Sequence, residues 1–487
     1  MNRRHRNRQT RKQGRALTRA SRPASPDLDV ALSLAIRHLQ AGRLQKAERL
    51  CRQILERQPD HADALHLLGV IAHQTGNSEV AVELIGRAVA ISARVAAYHN
   101  NLGEAYSALG QPDTAVTCYT KAVAINPIFV EAHDNLGNAL KREGKMEEAL
   151  ASYQRAIEIA PDRAEAHNNL GNVLKTLSRP DQALASYQRA LRLDPNHAQA
   201  YNNLGDSFQR MGRLENAIQC CRRAIELMPH FAEAHINLGK ALVGQDKLDE
   251  AITCYERAAE LGLKSPEHLL AALRGETTEA APKDYVKELF DHYAPQFDSD
   301  LADRLAYDVP RLLKNALDKF ATRGRCFRNV IDLGCGTGLA GAEFRAVSSR
   351  LTGVDLSPKM IAQAKKKKVY DSLEEEDIAE FLIKTDETFD LYIAADVFIY
   401  LGDLAPIFSA VRRRAREKAL FTFSTEICKG GDYSLNKTAR YSHSRGYIEA
   451  LAQDQNFSVA LCDTSIIRKE EDKNVPGYLF ILEYNNC

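Results

Sequence analysis

The amino-acid sequence repeats itself every 34 residues, and this period constrains the fold of about half the chain. A Leu-Gly pair recurs at that spacing without an insertion, at 68/69, 102/103, 136/137, 170/171, 204/205 and 238/239. The period gives the frames 28–61, 62–95, 96–129, 130–163, 164–197, 198–231 and 232–265, of which the last six each contain one pair. A fixed period of roughly 20 to 50 residues indicates stacked repeats rather than a single globular core.

Small residues within each frame predict two closely packed helices. The glycine of each Leu-Gly pair removes a side chain from the first helix, and an alanine at a fixed position does so on the second: Ala47, Ala81, Ala115, Ala149, Ala183, Ala217 and Ala251. Prolines follow the second helix at 59, 127, 161, 195 and 229, where a helix ends. This pattern resembles the tetratricopeptide repeat family, which implies an all-α superhelix with a long concave groove.

One position of the first helix carries an asparagine in five frames: Asn101, Asn135, Asn169, Asn203 and Asn237. The surrounding "NNLG" is similar to the repeats of O-GlcNAc transferases, whose asparagine ladder is associated with extended peptide backbones. An amide offers both a donor and an acceptor, which suits a backbone of any sequence. The resemblance implies a protein or peptide in the groove. The alternative is that these side chains tie helices together or face water.

A different pattern begins at residue 283, where strands alternate with helices as in an α/β domain. "VIDLGCGTG" (330–338) reads as a strand, a glycine turn and the start of a helix. A P-loop would need GxxxxGK, and a dinucleotide fold usually has GxGxxG, whereas this loop is GxGxG. Together with Asp355 at the end of the next strand, it resembles class I S-adenosylmethionine-dependent methyltransferases. That family implies a Rossmann-like α/β fold with a C-terminal antiparallel strand pair.

The resemblance also implies a set of site residues. It places Asp332, Gly334 and Gly336 beside the methionine part of S-adenosylmethionine, with Gly338 as a further cofactor-binding residue. It places Asp355 on the ribose with Leu356 next to it, and Asp377 and Ile378 at the adenine. It places Ala395, Asp396 and Tyr400 beside the transferred methyl group, and Tyr293 of a lid-like "FDHYAPQFD" over the cofactor. Tyr441 and His443 follow the fifth strand, with His443 as the candidate base or, alternatively, a surface loop histidine. No cluster has metal-ligand spacing.

Four regions follow from these patterns: a basic tail (1–27), seven repeats (28–265), a capping helix with a linker (266–282) and the methyltransferase domain (283–487). Residues 1–22 hold nine Lys and Arg and no acid, so the tail is expected to be disordered and solvated or weakly nucleic-acid-binding; a mitochondrial targeting peptide is the rival interpretation. The rest of the chain is acidic, so nucleic acid is not favoured as a partner. The sequence contains no apolar run of membrane-spanning length and no secretory h-region, so a cytoplasmic location is expected.

The whole architecture resembles bacterial predicted tetratricopeptide-containing methyltransferases. Three functions remain open: a methyltransferase whose repeats capture a protein acceptor, a small-molecule methyltransferase whose repeats serve assembly or location, and a non-catalytic scaffold with a vestigial methyltransferase fold. The intact glycines and Asp355 disfavour the scaffold. A glycosyltransferase is excluded because about 205 residues with this loop leave no room for a second nucleotide-sugar domain.

Overall fold

The structure is a computed structural model that describes residues 28–294, 297–298, 301, 307–320, 325–470 and 473–485. The predicted basic tail (1–27) lies outside the described residues. The chain divides into two compact units, residues 1–143 and 144–487.

The first unit consists of antiparallel helix pairs. The helices are α1 (Leu28–Gln40), α2 (Leu44–Arg57), α3 (Ala62–Gln74), α4 (Ser78–Ile91), α5 (Ala96–Ala108), α6 (Pro112–Ile125) and α7 (Val130–Arg142). Equivalent helices begin 34 residues apart, as the sequence period predicts. The turn between α1 and α2 contains Gly42 with φ 70°, a left-handed conformation that glycine adopts without strain.

The second unit continues the same pattern before its α/β part. Its helices are α8 (Met146–Ile159), α9 (Ala164–Thr176), α10 (Pro180–Leu193), α11 (Ala198–Arg210), α12 (Leu214–Leu227), α13 (Ala232–Gly244) and α14 (Leu248–Glu260). A Cβ placed on Gly171 of α9 would lie 2.5 Å from Cε1 of Tyr187 on α10. The close approach predicted for the glycine of the Leu-Gly pair is therefore confirmed.

The segment after the repeats docks onto the α/β part. The capping helix α15 (Pro266–Arg274) ends at Gly275, and α16 spans Lys283–Tyr293. Between them, the carbonyl of Glu279 accepts hydrogen bonds from Gly402 N and Asp403 N, both at 2.8 Å. Ala280 forms an antiparallel bridge with Leu401. The stretch that the sequence marks as a polar linker is therefore paired like a short strand.

The α/β part has strands β1 (Phe327–Leu333), β2 (Ser348–Asp355), β3 (Ser372–Glu375), β4 (Phe389–Ala394), β5 (Ala415–Ile427), β6 (Tyr433–Leu435), β7 (Tyr441–His443), β8 (Phe457–Glu470) and β9 (Lys473–Tyr484). Its helices are α17 (Val309–Phe320), α18 (Leu339–Phe344), α19 (Pro358–Lys367), α20 (Ile378–Lys384), α21 (Ala405–Arg414) and α22 (Arg445–Asp454). Single turns of 3₁₀-helix span Arg345–Val347 and Phe398–Tyr400.

The sheet runs in the order β3-β2-β1-β4-β5-β7-β6 within the described part of the chain. The first five strands of this order are parallel. β9 pairs antiparallel with β5, and β8 pairs antiparallel with β9, which confirms the expected C-terminal strand pair. The carboxyl ends of β1, β2 and β4 meet at one edge, where open α/β sheets bind ligands.

Helices cover both faces of the sheet. On one face, Phe421 and Phe423 of β5 pack against Phe408 of α21, with ring centroids 5.5 and 5.8 Å apart. On the other face, Leu313 of α17 belongs to a buried cluster with Leu420 of β5. Neighbouring strand residues point to opposite faces, so β5 supplies both cores. The expected fold class, helical repeats followed by a Rossmann-like α/β domain, is confirmed.

Two further findings concern local structure. The short strands β6 and β7 lie between β5 and α22, and β7 contains Tyr441 and His443, which the sequence places in a loop. Among the helices of the described residues, none is long and apolar enough to cross a membrane.

Candidate functional site

The glycine loop lies directly after β1, and its backbone conformation requires glycine. Gly334, Gly336 and Gly338 have φ values of 71°, 53° and 91°, which L side chains rarely adopt. The N–H groups of Gly334 and Cys335 both donate to the carbonyl of Val354, at 2.8 and 3.0 Å. These bonds fix the loop against the end of β2.

The three glycines differ in what a side chain would meet. A Cβ on Gly334 would lie 2.6 Å from Val397, and one on Gly338 would lie 3.0 Å from Tyr370. A Cβ on Gly336 would meet nothing nearer than Phe297 at 3.9 Å. Gly334 and Gly336 line the cavity described below, whereas Gly338 is not among its lining residues and instead precedes the first turn of α18.

Asp355 lies at the carboxyl end of β2, beside this loop. Its Oδ2 accepts from Gly336 N at 2.8 Å and its Oδ1 accepts from Ser357 N at 2.9 Å. Burial raises the pKa of its carboxyl to about 6, against the opposing effect of these backbone hydrogen bonds. A carboxylate has about four lone-pair positions, so acceptor capacity is left toward the cavity, which Asp355 and Leu356 both line.

Asp332 does not line the cavity, although the sequence resemblance implies a position beside the methionine part of the cofactor. It is fully buried. Its Oδ2 accepts from the hydroxyl of Tyr370 at 2.6 Å, and its Oδ1 has no hydrogen-bond partner among the described residues. Burial raises the pKa of its carboxyl to about 7, and the nearby charge of Asp355 adds to that rise.

The predicted adenine-binding residues lie at the start of α20. Asp377 caps this helix, because its Oδ1 accepts from Ala379 N and Glu380 N, both at 3.1 Å. Its Oδ2 lies 3.3 Å from Nζ of Lys283. Asp377 and Ile378 both line the cavity, so the structure brings them to the same space as the glycine loop.

The described residues of the lid-like segment contact the glycine loop and the residues that follow β2. Pro295 and Gln296 of this segment lie outside the described residues. Asp291 of α16 accepts from Oγ of Ser357 at 2.6 Å. Asp298 accepts from the hydroxyl of Thr337 and lies 2.6 Å from Nζ of Lys367. These contacts attach the segment to the ends of β1 and β2.

Tyr293, the lid residue expected over the cofactor, lines the cavity. Its ring centroid lies 5.4 Å from Cζ of Arg210, which is within range of a cation–π contact. Arg210 ends α11 of the repeats, so a helical repeat contributes directly to the surroundings of Tyr293.

The residues directly after β4, Ala395 and Asp396, also line the cavity. Asp396 has φ 61° although it is not a glycine, and its N–H donates to Oγ of Ser424 at 2.9 Å. Tyr400 is a further residue of the cavity. Burial raises the pKa of the Tyr400 hydroxyl. A non-glycine residue held in this conformation is a common feature of functional sites.

Arg468 of β8 holds Asp396 in place, and sequence reasoning missed it. Its Nη1 donates to Oδ1 and Oδ2 of Asp396 at 2.9 and 3.1 Å, and its Nη2 donates to Glu426 of β5. Only 2% of the Arg468 side chain is exposed. A β-bulge between Ile466 and Arg468 interrupts the alternation of inward and outward side chains along β8. The sequence pattern therefore does not predict that Arg468 points inward.

Tyr441 and His443 do not reach the cavity, which corrects the expectation that they could face it. Both are fully buried in β7. Nε2 of His443 lies 3.0 Å from the carbonyl of Gly402, and the hydroxyl of Tyr441 is hydrogen-bonded to Thr278. Burial lowers the pKa of His443 to about 4. Pairing with β5 turns these residues into the interior, so His443 is neither a surface histidine nor placed to act as a base.

The cavity has a volume of about 760 Å³, inside the range of roughly 300–1,000 Å³ typical of ligand sites. The glycine loop, Asp355, Asp377 and Asp396 line one side of it. The first helices of three repeats contribute the other side, through Lys175 of α9, through Asn202, Asn203, Asp206, Gln209 and Arg210 of α11, and through Glu233, Ile236, Asn237, Lys240 and Val243 of α13.

The asparagines of the repeats use their amide nitrogens between helices. Nδ2 of Asn203 donates to Asn168 at 2.9 Å, and Nδ2 of Asn237 donates to Asn202 at 3.0 Å. In the first unit, Nδ2 of Asn135 donates to Asn100 at 3.1 Å, and Nδ2 of Asn101 lies 2.9 Å from Nε2 of His66. Asn169 is buried and does not line the cavity. The structure thus places Asn203 and Asn237 at the site, but not the other three asparagines.

Metal binding has no support among the described residues, which contain no group of three or more His, Cys, Asp or Glu side chains able to hold an ion.

Two curated relatives match a part of the chain. Residues of this chain are 39% identical over 85 residues to human Methyltransferase-like protein 27, covering 17% of this chain and 34% of that protein. They are 28% identical over 138 residues to Malonyl-[acyl-carrier protein] O-methyltransferase of Salmonella typhimurium, covering 28% of this chain and 54% of that protein. The chain thus spans about a third of the length of the first relative and about half of the length of the second.

Solved structures are similar to a part of the chain. A crystal structure of MamA is 28% identical, covers 33% of this chain and 94% of its own, and superimposes with a TM-score of 0.31.

Two family models match the chain. The model described as Methyltransferase domain matches residues 330–418, so the C-terminal part contains a methyltransferase domain. The model described as Cilia and flagella-associated protein 70 C-terminal domain, a tetratricopeptide-type model, matches residues 5–280. Because this second match spans more than half of the chain, the chain belongs to the tetratricopeptide family described as the Cilia and flagella-associated protein 70 C-terminal domain.

Proposed function

We propose that the protein is an S-adenosylmethionine-dependent methyltransferase that modifies a captured protein or a small-molecule acceptor. The observation that carries this proposal is the hydrogen bond between Gly336 and Asp355, which joins the glycine loop to the acidic strand end. The methyltransferase domain supports methyl transfer as the reaction class. We propose the division 28–265, 266–282 and 283–487 for the repeats, the connection and the catalytic part. A cytoplasmic location remains a prediction.

The residues present fit a nucleoside cofactor. Gly336 leaves open space where any side chain would project, so a ligand can approach the backbone closely. Asp355 has acceptor capacity for ribose hydroxyl groups beyond its two backbone hydrogen bonds. Asp377 and Ile378 line the same cavity, with Ile378 as an apolar surface for a flat base.

S-adenosylmethionine, when bound, supplies an electrophilic methyl group on a sulfonium, so the protein has no need of a nucleophile of its own. Its residues must instead position the acceptor and exclude water. Tyr293 and Phe297 would cover the loop, while Asp396, fixed by Arg468, would face the acceptor. A carboxylate there can accept a hydrogen bond from an acceptor N–H or O–H and so orient its lone pair.

A methyl-transfer assay tests this function. The full chain is incubated with S-adenosylmethionine carrying a tritiated methyl group and with a cell extract, and label is measured separately in protein and in small molecules. We expect label above background with the wild type and a loss of about tenfold or more in Asp355→Ala, because a carboxylate–ribose contact is lost. The matched control is Asp386→Ala, whose carboxylate is exposed. Equal labelling by both variants would count against the proposed site.

The alternative is a non-catalytic scaffold with a vestigial methyltransferase fold. The intact loop conformation and the hydrogen-bonded Asp355 favour the enzyme instead. An absence of label in every fraction, together with binding of a partner to the repeats, would favour the scaffold.

A further inference from the structure

The repeats and the glycine loop line the same cavity. Asn203, Asp206 and Lys240 line it from α11 and α13, and Gly336 and Asp355 line it from the α/β part. A partner lying on these helices would therefore already be inside the proposed methyl-transfer site.

The relative position of the two walls is fixed by the chain between them. Gly402 N donates to Glu279 O at 2.8 Å, and Ala281 N donates to Tyr400 O at 3.0 Å. In the capping helix α15, buried His268 lies with its Nε2 3.0 Å from the carbonyl of Ala439. Backbone hydrogen bonds of this kind do not form across a free tether, so the repeats do not act as a loosely attached docking module.

A line of polar contacts connects the helical wall to the lid. Nζ of Lys175 on α9 lies 3.0 Å from Oδ2 of Asp206 on α11, and Nε of Arg210 lies 3.3 Å from the same oxygen. Arg210 then faces the ring of Tyr293. A ligand that replaced one of these contacts, or added a contact to Asp206 or Arg210, would change the surroundings of Tyr293, the lid residue proposed to cover the cofactor.

The chemistry of the helical wall suits a polypeptide. The amide nitrogens of Asn203 and Asn237 are already bonded to the preceding repeat, which fixes the orientation of both side chains. Their Oδ1 atoms accept no hydrogen bond from the described residues, and oxygen atoms of this kind accept from backbone N–H groups. An extended peptide presents such donors regularly along its length.

The charges of this wall argue against a polyanion. Lys175 and Arg210 share the carboxylate of Asp206, and α13 adds one acidic and one basic residue to the wall, Glu233 and Lys240. Nucleic acid is held mainly by uncompensated Lys and Arg. A wall of amides in which acidic and basic residues nearly balance fits a backbone of mixed sequence better.

We infer that the polypeptide held along α9, α11 and α13 is itself the methyl acceptor, bound in an extended form with its reacting side chain between Tyr293 and Asp396. This inference rests on the proposed function and chooses between its two acceptor classes. In the transfer, an oxygen or nitrogen of that side chain forms a bond to the methyl carbon. The carbon–sulfur bond breaks with its electron pair left on sulfur, and a proton is released from the acceptor to water.

The test uses the full chain, tritiated S-adenosylmethionine and a mixed-sequence library of peptides of about twelve residues, which extend to roughly 40 Å. Lys240 is an exposed residue of the cavity. Lys240→Trp therefore places a larger side chain in the cavity next to the helical wall and removes no buried contact. Gln219→Trp, on the exposed side of α12, is the matched control. Thermal melting checks that both variants fold.

We expect the wild type to label peptides and Lys240→Trp to lower kcat/KM for them by about tenfold or more, as loss of roughly 1.4 kcal/mol of binding does. Gln219→Trp should match the wild type, and all three proteins should bind S-adenosylmethionine equally in calorimetry. The inference is overturned if Lys240→Trp labels peptides at the wild-type rate. It is also overturned if the wild type binds the cofactor but labels no peptide. A wild type that fails to bind the cofactor would instead remove the proposed function.

Discussion

The backbone N–H of Gly336 donates to Oδ2 of Asp355 at 2.8 Å, so the loop after β1 and the end of β2 form one structural unit. Ser357 N donates to the other oxygen of the same carboxylate. Asp355 therefore has two roles in this account: it holds the loop in its left-handed conformation and it presents acceptor capacity to the cavity.

Gly336→Ala is expected to abolish cofactor binding while the protein remains folded. Alanine at φ 53° is strained by about 1–2 kcal/mol, and its methyl group would project into space that the protein leaves open. Calorimetry with S-adenosylmethionine measures the effect. Gly446→Ala is the control, because Gly446 lies in α22 with nothing within 4 Å of an added Cβ and should bind normally. Unchanged affinity in Gly336→Ala would show that the ligand does not approach this backbone.

Arg468→Met is expected to destabilise the protein by about 3–5 kcal/mol, since it leaves buried carboxylates without their cation. Chemical denaturation of the full chain measures this effect. Arg445→Met breaks an exposed i,i+4 pair with Glu449 and should cost only about 0–1 kcal/mol. Adding Glu426→Gln to Arg468→Met should recover part of the loss. Similar stabilities of the two arginine variants would mean that Asp396 does not depend on Arg468.

Asp332→Asn is expected to change the pH dependence of stability. The folded protein keeps the Asp332 proton up to a pKa of about 7, whereas the unfolded chain releases it near pH 4. The unfolded state therefore binds fewer protons between these values, and the ionising carboxyl lowers the free energy of unfolding as pH rises from about 4 to 7. The variant lacks this loss, so its stability relative to the wild type should grow over that window. Exposed Asp386→Asn should show no such trend, and a flat difference for Asp332→Asn would contradict the buried carboxyl.

His443→Gln is expected to retain methyl transfer and to resist acid better than the wild type. His443 has a folded pKa of about 4, below its ordinary value of about 6.5, so stability is lost as pH falls through this interval. Glutamine keeps a donor for the carbonyl of Gly402 without titrating. Melting temperatures between pH 4.5 and 7.5 and transfer rates near pH 7 measure the two effects. A large loss of transfer with unchanged melting would restore His443 as a base.

The sequence predicted features that depend on local backbone chemistry. The repeat period follows from glycine at contacts such as Gly171 with Tyr187, and the loop follows from glycines at positive φ. The proximity of Asp355 to the loop follows from parallel pairing of β1 with β2. In each case the residue type itself carries the geometric requirement.

Features that depend on tertiary pairing were beyond the sequence. His443 seemed to lie in a loop because β7 has only three residues, too few for an alternating pattern. Arg468 was hidden by a bulge in β8. The repeats take part in the site through contacts such as that between Arg210 and Tyr293. These residues are far apart in the sequence, so no local sequence pattern predicts the contact.

Titration calorimetry of the full chain with S-adenosylmethionine decides whether the glycine loop and Asp355 form a cofactor site, and it is done near pH 7.5, where the Asp355 carboxyl, with a pKa of about 6, is ionised. We expect one binding site per chain and an affinity that falls about tenfold or more in Asp355→Ala but not in Asp386→Ala. Absence of binding by the wild type, or equal affinity in Asp355→Ala, would contradict this cofactor site.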